Sequence, residues 1–324
     1  MKKNIAIVMG GYSSEVNISI KSGNVVYNHL DTEVFNAFRV LILKDKWVAL
    51  DANNKEYAID KNDFSCVIDG TRVTFDCVFN AIHGAPGENG QLLAYFNLLK
   101  LKHTSAPFYQ MALTFNKRDT LSVVKEYGIK TAISVYLNKG DLVNLDAIIA
   151  KVGLPCFVKP NNAGSSYGIS KVHTKEAILP ALEKAYKEDT EILIESFLEG
   201  TEVSVGVINY NEQTKVLPIT EIVSENDFFD YEAKYEGKSE EITPARLSSA
   251  IEEKVVEVAK RVYHILNMSG FSRSEFILVN GDPHFLEMNT VPGLTEESIL
   301  PQQAKAAGIS LKDLFGNAIL TALK

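Results

Sequence analysis

Two carboxylates and an amide near the C-terminal end of the chain form the most specific chemical pattern in the sequence. Glu275 lies in one apolar run, and Glu287 and Asn289 lie in the next. Because alternate side chains of a strand share a face, a three-residue loop at 280–282 predicts that Glu275 lies opposite Glu287. These oxygen donors suit Mg²⁺ that is also bound by phosphates and waters, and Arg273 beside them suits a phosphate or an oxyanion. The spacing leaves open a solvated outer face of an antiparallel sheet.

A glycine- and serine-rich run at 161–168 is the second candidate site. Its glycines let backbone N–H groups approach a ligand, Ser165 and Ser166 add hydroxyl donors, and Lys159 just ahead supplies a cation. This composition fits a loop that cradles phosphates. It is not a P-loop, because no Gly-Lys-Ser/Thr follows the glycines. The alternative is a plain glycine-rich hairpin turn.

Two further motifs follow predicted buried strands in the first hundred residues. The run at 10–15 is Gly-Gly-Tyr-Ser-Ser-Glu, and the run at 83–90 is His-Gly-Ala-Pro-Gly-Glu-Asn-Gly. In open α/β sheets ligands bind beyond the carboxyl ends of the strands, so both runs are candidate substrate loops. The alternatives are simple N-terminal capping of a helix by the first run and a structural turn in the second.

A long polar and aromatic stretch at 224–244 has little periodicity and is predicted to be a lid loop. Lys234 and Tyr235 would reach into a site when such a loop closes, although a charged solvent loop is the alternative. Lys117 is predicted near the middle of a helix at 111–127, where on its own it would belong to a solvated face.

The predicted elements that position these groups divide the chain into three segments. They are an N-terminal α/β domain at 1–105, a central small α+β domain at 106–198 and a C-terminal antiparallel-sheet domain at 199–324. In the first segment, alternating strands and helices predict a parallel sheet with covering helices, including a long buried strand at 73–81. Strands on both flanks of the run at 161–168 predict a β-hairpin there.

Composition excludes several classes of protein. The 324 residues contain 33 Lys and Arg against 41 Asp and Glu, and a net charge of −8 argues against general nucleic-acid binding. Apolar runs fall far short of the ~18 residues of a membrane span, and polar residues at 12–17 argue against a signal peptide. Cys66, Cys77 and Cys156 are widely spaced and are predicted to be reduced thiols of a cytosolic protein.

In order and spacing the motifs resemble those of the D-alanine–D-alanine ligases, which are ATP-grasp enzymes of peptidoglycan precursor synthesis. The resemblance covers essentially the whole chain, and its motifs are G-G-x-S-x-E at 10–15, H-G-x-x-G-E-x-G at 83–90, K-P-x-x-x-G-S-S-x-G at 159–168, E-x-x-x-x-G-x-E at 195–202, Y-E-A-K-Y at 231–235, R-x-E at 273–275 and E-x-N-T-x-P-G-x-T-x-x-S at 287–298. So many matches in register outweigh the alternative for each motif alone. The resemblance implies an ATP-grasp fold, a cytoplasmic enzyme and a homodimer.

The resemblance also implies a reaction. ATP would phosphorylate the carboxylate of one D-alanine, and the amine of a second would attack the acylphosphate to give D-Ala-D-Ala, ADP and phosphate. Glu275, Glu287 and Asn289 would hold two Mg²⁺ ions, for which Mn²⁺ can substitute. The residues implied to contact phosphates are Lys117, Lys159, Ser165, Ser166 and Lys234.

The remaining roles implied by the resemblance concern adenine and the amino-acid substrates. Adenine would lie at the hinge Glu195–Leu198, which includes Phe197, with Glu202 on the ribose. The residues implied at the amino-acid substrates are Glu15 on the first ammonium, His83 near the first substrate, Ser298 on the second carboxylate, Ile299 as a further substrate-binding residue, Arg273 and Gly293 on the oxyanion, and Tyr235 with Ser165 and Glu15 in a clasp that holds the lid shut.

The chain departs from the family pattern at four places. Glu275 stands where Asp is usual, Asn89 replaces an Asp, and Phe197 replaces a common Trp. The sequence Asn-Asn-Ala at 161–163 is also unusual ahead of Gly-Ser-Ser, and it is expected to alter the mobility of that loop. None of these changes removes a group that the reaction needs.

Two rival functions stay open at this stage. One is an ATP-grasp ligase with a different second substrate, D-lactate or D-serine, or with another amino-acid pair; Glu15, Tyr235 and Ser298 together argue against it. The other is a nucleotide-binding module without catalysis, which would have lost Arg273 or a metal ligand. Neither nucleic acid nor a membrane is an expected partner.

Overall fold

The protein is described by a computed structural model over residues 2–162, 164, 167–224 and 239–324. Four residues with predicted roles, Ser165, Ser166, Lys234 and Tyr235, lie outside these described residues.

The described strands are β1 (Lys3–Gly10), β2 (Phe35–Ile42), β3 (Trp47–Leu50), β4 (Glu56–Asp60), β5 (Ser65–Ile68), β6 (Thr71–Val73), β7 (Cys77–Asn80), β8 (Lys102–His103), β9 (Ser134–Asn138), β10 (Cys156–Pro160), β11 (Ser170–Val172), β12 (Glu191–Ser196), β13 (Thr201–Tyr210), β14 (Gln213–Val216), β15 (Thr220–Ser224), β16 (Ser239–Ile242), β17 (Phe271–Val279) and β18 (Asp282–Asn289). The described α-helices are α1 (Val16–His29), α2 (Gln91–Leu98), α3 (Phe108–Phe115), α4 (Lys117–Glu126), α5 (Leu145–Val152), α6 (Ile178–Ala185), α7 (Ser249–Ile265), α8 (Ile299–Ala306) and α9 (Leu311–Leu323). A short 3₁₀ helix, Lys175–Ala177, precedes α6.

The first sheet is mixed, whereas the sequence predicted a parallel one. Its order is β6-β5-β4-β3-β2-β1-β7-β8, and only β2, β1, β7 and β8 pair in parallel. The predicted strand at 73–81 is two strands, since Val73 ends the antiparallel β6 and Cys77 begins the parallel β7. Two consecutive antiparallel hairpins, β3–β4 and β5–β6, therefore extend the parallel half that carries the two candidate substrate loops.

The second sheet has the order β11-β10-β12-β9 and is antiparallel throughout. Strands β10 and β11 flank the glycine- and serine-rich run and pair with each other, which confirms the predicted hairpin.

The third sheet has the order β16-β15-β13-β17-β18, with β14 paired to β13. Glu275 is opposite Glu287, as predicted, but the reason differs. The turn between β17 and β18 has two residues, Asn280 and Gly281, both at positive φ, and it would align Glu275 with Leu286. An irregularity between Glu275 and Phe276 shifts the register by one residue and restores the alignment with Glu287.

The predicted helix at 111–127 is two helices. Asn116 has extended backbone (φ −89°, ψ 104°), and its side chain accepts the backbone N–H of Asp119 at 3.0 Å, so it ends α3 and caps α4. Lys117 is therefore the first residue of α4 rather than a residue of a solvated mid-helix face.

A shared apolar core joins the first and third sheets. The rings of Phe79 on β7 and Phe315 on α9 lie 5.7 Å apart, and Ile208 of β13 and Leu300 of α8 belong to the same buried cluster. This packing holds the carboxyl ends of β1 and β7 beside the third sheet.

The three cysteines, all within the described residues, are buried and form no disulfide, as predicted. A search of the described helices found none with the length and apolar character that crossing a membrane would require.

Candidate functional site

A cavity of about 470 Å³ lies where the substrate loops, the start of α4, the third sheet and the start of α8 converge. The predicted site residues that line it are Glu15, His83, Lys117, Arg273, Glu287, Asn289, Gly293, Ser298 and Ile299. Glu88 and Glu241, which had no predicted role, also line it. Two regions of sequence that are 283 residues apart, from Glu15 to Ser298, thus meet in one pocket.

Arg273 and Glu275 are paired on the face of the third sheet. The guanidinium of Arg273 contacts the Glu275 carboxylate and donates to Ser204 Oγ at 3.0 Å. The side chains of Arg273 and Glu275 are 16% and 8% exposed, so the pair is held in a largely dry setting. These two contacts hold the Arg273 guanidinium in place. Arg273 also lines the cavity, where its positive charge can bind an anionic group.

Glu275, Glu287 and Asn289 share a sheet face, because Glu275 is opposite Glu287 and Arg273 is opposite Asn289. Asn289 Oδ1 accepts the Val291 backbone N–H at 2.9 Å, which leaves one of its two lone pairs for a cation. Within the described ranges no three His, Cys, Asp or Glu side chains are grouped as a metal site. The donor set, two carboxylates and an amide, therefore fits Mg²⁺ only where phosphates and waters complete the coordination.

Lys117 reaches the same face from another domain segment. Its Nζ lies 3.0 Å from Glu287 Oε2, and its side chain is only 13% exposed. Lys117 is the first residue of α4 and lines the cavity, so its ammonium is placed where it could bind a phosphate.

Gly293 and Ser298 lie in close contact at the start of α8. A Cβ at Gly293 would lie 2.7 Å from Ser298 Oγ, so no larger residue fits without displacement. Ser298 occupies the N-cap of α8, and its Oγ is 2.7 Å from Thr295 Oγ1. The N-terminus of a helix favours anions, which suits a substrate carboxylate at Ser298 and Ile299.

Helix α8 is anchored to the third sheet through Gln303. Its Nε2 donates to the Ser204 carbonyl at 2.8 Å and to Thr220 Oγ1 at 3.0 Å. A Cβ at Gly206 would lie 2.5 Å from Gln303 Oε1, so this glycine makes room for the anchor.

We expect Gly293→Ala to reduce kcat/KM by about 10²-fold, because displacement of Ser298 and of the loop by an ångström misplaces the reacting groups. Steady-state kinetics of the ligase reaction that the resemblance implies measures this. The double variant Gly293→Ala with Ser298→Gly removes the clash. Because it also removes the Ser298 hydroxyl, it should recover only part of the lost kcat/KM. Full activity of Gly293→Ala alone would contradict the expectation.

The two candidate substrate loops, which follow the neighbouring strands β1 and β7, contact each other directly. Tyr12 donates its backbone N–H to the Ala85 carbonyl at 2.7 Å, and Ser13 Oγ donates to the His83 carbonyl at 3.1 Å. A Cβ at Gly84, whose φ is +66°, would lie 2.7 Å from Ser13 Oγ. These contacts fix the backbone that presents Glu15.

Glu15 also meets the glycine- and serine-rich run. A Cβ at Gly164 would lie 3.0 Å from Glu15 Oε2, so this backbone approaches the carboxylate closely. The first sheet and the β10–β11 hairpin therefore meet at Glu15.

His83 is buried at the wall of the cavity. Burial lowers its pKa below the ordinary value, against the opposing effects of Glu15 and of a backbone hydrogen bond with Val291. Ser22 Oγ accepts the Leu294 N–H at 3.2 Å and lies 3.1 Å from His83 Nε2, so its own proton is available to that nitrogen. We infer the tautomer with the proton on Nδ1.

Glu88 connects the second substrate loop to the end of β18. Its Oε2 accepts the Gly84 N–H at 2.9 Å, and a further backbone hydrogen bond comes from Thr290. Burial, followed by the charge of Glu15, raises the pKa of Glu88 from 4.5 to about 7. The motif at 83–90 contained this residue, but sequence reasoning gave it no role.

The raised pKa of Glu88 predicts a pH-dependent stability. Between about pH 4.5 and pH 7 folded Glu88 keeps a proton that the unfolded chain has released, so rising pH destabilises the fold. Glu88→Gln cannot titrate at this position, so it should avoid the loss of about 2–3 kcal/mol in free energy of unfolding that the wild type shows as pH rises through this window. Urea unfolding of both proteins at pH 5 and pH 8 tests this, and equal pH dependence would contradict it.

Two of the residues predicted for ATP, Lys159 and Glu195, lie on the second sheet, and neither lines the cavity. Lys159 Nζ is 2.8 Å from Glu195 Oε2, and their side chains are 15% and 4% exposed. Burial opposes the charge of Lys159, but Glu195 outweighs it, and the pKa of Lys159 lies above its ordinary value. The charges of Glu287 and Glu202 also raise the pKa of Lys159.

An aromatic pair lies next to this ion pair. Phe157 and Phe197 have ring centroids 6.2 Å apart, and Lys171 Nζ lies 4.4 Å over the Phe197 ring. The backbone N–H of Phe197 donates to the Pro155 carbonyl at 3.3 Å, and Leu198 follows it. Phe157 and Lys171 had no predicted role, although the alternation of β10 places Phe157 on the same face as Lys159.

Glu241 is the other cavity residue that sequence reasoning missed. It is opposite Ile222, which is opposite Glu202, so it faces the same side as the predicted ligands. Burial raises the pKa of Glu241, while Arg273 opposes the shift. The stretch that contains it was predicted to be a loop, but Ser239–Ile242 form strand β16, which pairs with β15.

Comparison with known proteins gives a consistent match over the chain. Sequence models of the D-ala D-ala ligase N-terminus and C-terminus match residues 4–106 and 123–320. A D-alanine–D-alanine ligase of Flavobacterium johnsoniae is 68% identical over 317 residues, which is 98% of each chain.

Solved structures with the same fold come from two kinds of ligase. The VanG D-Ala:D-Ser ligase from Enterococcus faecalis has a TM-score of 0.87 at 28% identity and covers 100% of both chains. The D-alanyl-alanine synthetase A from Vibrio cholerae has a TM-score of 0.88 at 26% identity and covers 99% of this chain and 98% of its own.

Proposed function

The chain belongs to the D-alanine–D-alanine ligase family, and from this premise we propose that the cavity between Glu15 and Ser298 is its active site. The protein is an ATP-dependent ligase that forms D-Ala-D-Ala for peptidoglycan synthesis. The observation that supports this site most strongly is the convergence of one ammonium-binding carboxylate, two cations and a helix N-terminus in one cavity.

The first D-alanine is bound through its ammonium by Glu15, which lies beside His83. Its carboxylate then faces Lys117 and Arg273, whose positive charge favours both the acylphosphate and the tetrahedral oxyanion. The backbone N–H of Gly293 is the second oxyanion donor in this proposal. Two cations and one N–H directed at developing negative charge lower the barrier without moving during the reaction.

The second D-alanine binds with its carboxylate at Ser298 and the start of α8. Its amine then lies between this helix and Arg273, in line with the carbonyl of the first substrate. The helix N-terminus supplies the charge complement for the carboxylate.

ATP is proposed to lie along the second sheet. Lys159 and Lys117 contact its phosphates, Phe197 and Leu198 flank the adenine, and Glu202 binds the ribose. Ser165, Ser166 and Lys234, which lie outside the described residues, are assigned to the phosphates by the family motif alone, and Tyr235 likewise to the clasp over Glu15.

We propose Mg²⁺, with Mn²⁺ as a substitute, at Glu275, Glu287 and Asn289. These hard oxygen donors fit the ion, which would supply charge neutralisation of the ATP phosphates. The longer side chain of Glu275, in place of the usual Asp, remains within the pair with Arg273.

Three domains, at 1–105, 106–198 and 199–324, are also part of the proposal. The strands of each described sheet fall inside one of these ranges, which supports the division. A homodimer in the cytoplasm is proposed from the family resemblance alone, and light scattering of the purified protein tests the dimer.

The direct test is ADP release with ATP and Mg²⁺ in the presence of D-alanine, L-alanine, or D-alanine with D-lactate, with products identified by mass. ADP formation with D-alanine alone and the mass of the dipeptide are expected. ATP binding without turnover of D-alanine would contradict the substrate assignment while leaving the nucleotide site standing.

The identity of the second substrate needs a separate test, because the same fold also serves a D-Ala:D-Ser ligase. Tyr235 is associated in the resembling ligases with D-alanine, and Phe with D-lactate. Tyr235→Phe is therefore expected to raise the yield of D-alanyl-D-lactate relative to the wild type. Mass analysis of products from mixed substrates measures the ratio of D-alanyl-D-lactate to D-Ala-D-Ala. An unchanged yield of D-alanyl-D-lactate would contradict the role of Tyr235 in selecting D-alanine.

A further inference from the structure

Asn161 is a fully buried polar residue directly after β10, at 0% exposure. It belongs to the Asn-Asn-Ala departure from the family pattern, for which sequence reasoning predicted altered loop mobility. It lies two residues after Lys159 and three before Gly164. A buried amide of this kind is costly unless its polar groups are satisfied.

The first set of contacts joins Asn161 to the start of α4. Its Oδ1 accepts the Arg118 backbone N–H at 2.9 Å, and its carbonyl accepts the Lys117 N–H at 3.4 Å. The first N–H groups of a helix have no partner within the helix, so they must be satisfied from outside. Asn116 satisfies the Asp119 N–H, and Asn161 satisfies the two before it.

The second set joins Asn161 to β12. Its Nδ2 donates to Glu191 Oε2 at 2.6 Å, and its backbone N–H donates to the Glu191 carbonyl at 2.9 Å. All the polar groups of Asn161 thus connect two elements, the N-terminus of α4 and the start of β12.

Arg118 strengthens the same connection from the helix side. Its NH1 donates to Asn138 Oδ1 at 2.9 Å, and its guanidinium carbon lies 4.9 Å from the centroid of the Tyr136 ring. The start of α4 is therefore docked on the second sheet, with Asn161 as the buried part of the contact.

This docking determines where two cations stand. Lys117 begins α4 and reaches Glu287 at 3.0 Å, while Lys159 on β10 reaches Glu195 at 2.8 Å. The side chain and the backbone carbonyl of Asn161 both bond the start of α4, so this residue constrains the separation of the two lysines. A phosphate chain that bridges both ammonium groups requires such a fixed separation, because misplacement of about 1 Å is costly to positioning.

We propose that Asn161 is a positioning residue for ATP, which holds Lys117 and Lys159 at the spacing that the phosphates need. This inference rests on the proposed function of the two lysines. Asn161 itself does not contact the nucleotide in this proposal.

The hydrogen bond in which Asn161 Nδ2 donates to the Glu191 carboxylate can be tested by exchanging donor and acceptor. Asn161→Asp keeps the acceptor for Arg118 but turns a carboxylate oxygen toward the Glu191 carboxylate, so the two repel. Adding Glu191→Gln supplies an amide donor to the new Asp and restores the bridge. Both changes conserve size, and a melting temperature for each variant checks that it is folded.

Calorimetric titration of ATP with Mg²⁺ gives the binding constant without any amino-acid substrate, and kinetics gives both KM values. We expect Asn161→Asp to weaken ATP binding roughly tenfold and to raise the KM for ATP, with little change in the KM for D-alanine. The double variant should return to within about threefold of the wild type.

Asn162→Ala is the matched control. The hydrogen bonds of Asn162 among the described residues go to Asp189, from its backbone N–H at 2.7 Å and its Nδ2 at 2.8 Å, and none of them joins it to α4. Its loss tethers the loop less firmly but leaves the docking of α4 unchanged, so ATP binding should change less than about twofold.

Unchanged ATP binding in folded Asn161→Asp overturns the inference, and so does a loss that Asn162→Ala shares or that Glu191→Gln does not reverse. Lys159→Met separates this result from a failure of the proposed function. If Lys159→Met binds ATP normally, the phosphate role of the lysine is wrong; if it loses ATP while Asn161→Asp does not, only the positioning role is wrong.

Discussion

Arg273→Ala is expected to lower kcat by about 10²–10³-fold, the usual loss for one donor to a developing oxyanion. Arg273 lines the cavity, is 16% exposed and is held by Ser204 and Glu275, so its guanidinium is oriented before substrate binds. Single-turnover measurement of D-Ala-D-Ala formation isolates this step from product release.

Loss of Arg273 also leaves the buried Glu275 without its cation, so stability must be measured in parallel. Arg273→Lys is the control, because it keeps the charge beside Glu275 but loses the planar fork. We expect near-normal melting and an intermediate kcat for Arg273→Lys. If the two variants lose kcat only in proportion to their loss in melting temperature, the oxyanion role of Arg273 is refuted.

Lys159→Met is expected to destabilise the fold by about 3 kcal/mol and to weaken ATP binding by at least about 10²-fold. The first effect follows because the carboxylate of Glu195, whose side chain is 4% exposed, loses its partner at 2.8 Å. The second follows from loss of a phosphate cation. Urea unfolding and ATP titration measure the two effects.

The double variant Lys159→Met with Glu195→Gln separates these effects. Removal of the buried carboxylate should restore most of the stability, since the remaining amide needs only a hydrogen bond, which Ser134 Oγ at 3.4 Å is close enough to provide. ATP binding should stay weak in the double variant. Recovery of ATP binding together with stability would mean that Lys159 is structural only.

Local sequence signals were reliable where one element carried the chemistry. The alternation along 271–279 and 284–289 predicted that Glu275 and Glu287 share a sheet face, and the glycine run between two β-rich segments predicted the β10–β11 hairpin. Side-chain period and turn residues are local properties, so a single sequence contains them.

Local signals failed where a polar residue interrupts an element. Asn116 breaks the predicted helix at 111–127, because an extended capping residue can follow a helix as readily as precede one. The correction matters for function, since it moves Lys117 from a helix face to a helix start beside Glu287.

The alignment of Glu275 with Glu287 shows a correct prediction with an incorrect cause. The two-residue turn at Asn280 and Gly281 alone would have separated the pair by one position, and a local irregularity corrected it. Irregularities of this kind depend on packing around the strands and have no fixed sequence signature.

By itself the sequence determined the family, the motifs and the types of chemical group available, because these depend on residue identity and spacing along the chain. Only the tertiary structure decided that Glu88 and Glu241 enter the cavity, that Asn161 joins α4 to β12, and that Lys159 is paired with the buried Glu195. The physical reason is that burial and electrostatic pairing join residues distant in sequence, as with Asn161 and Arg118, and such contacts follow from packing between sheets rather than from local pattern.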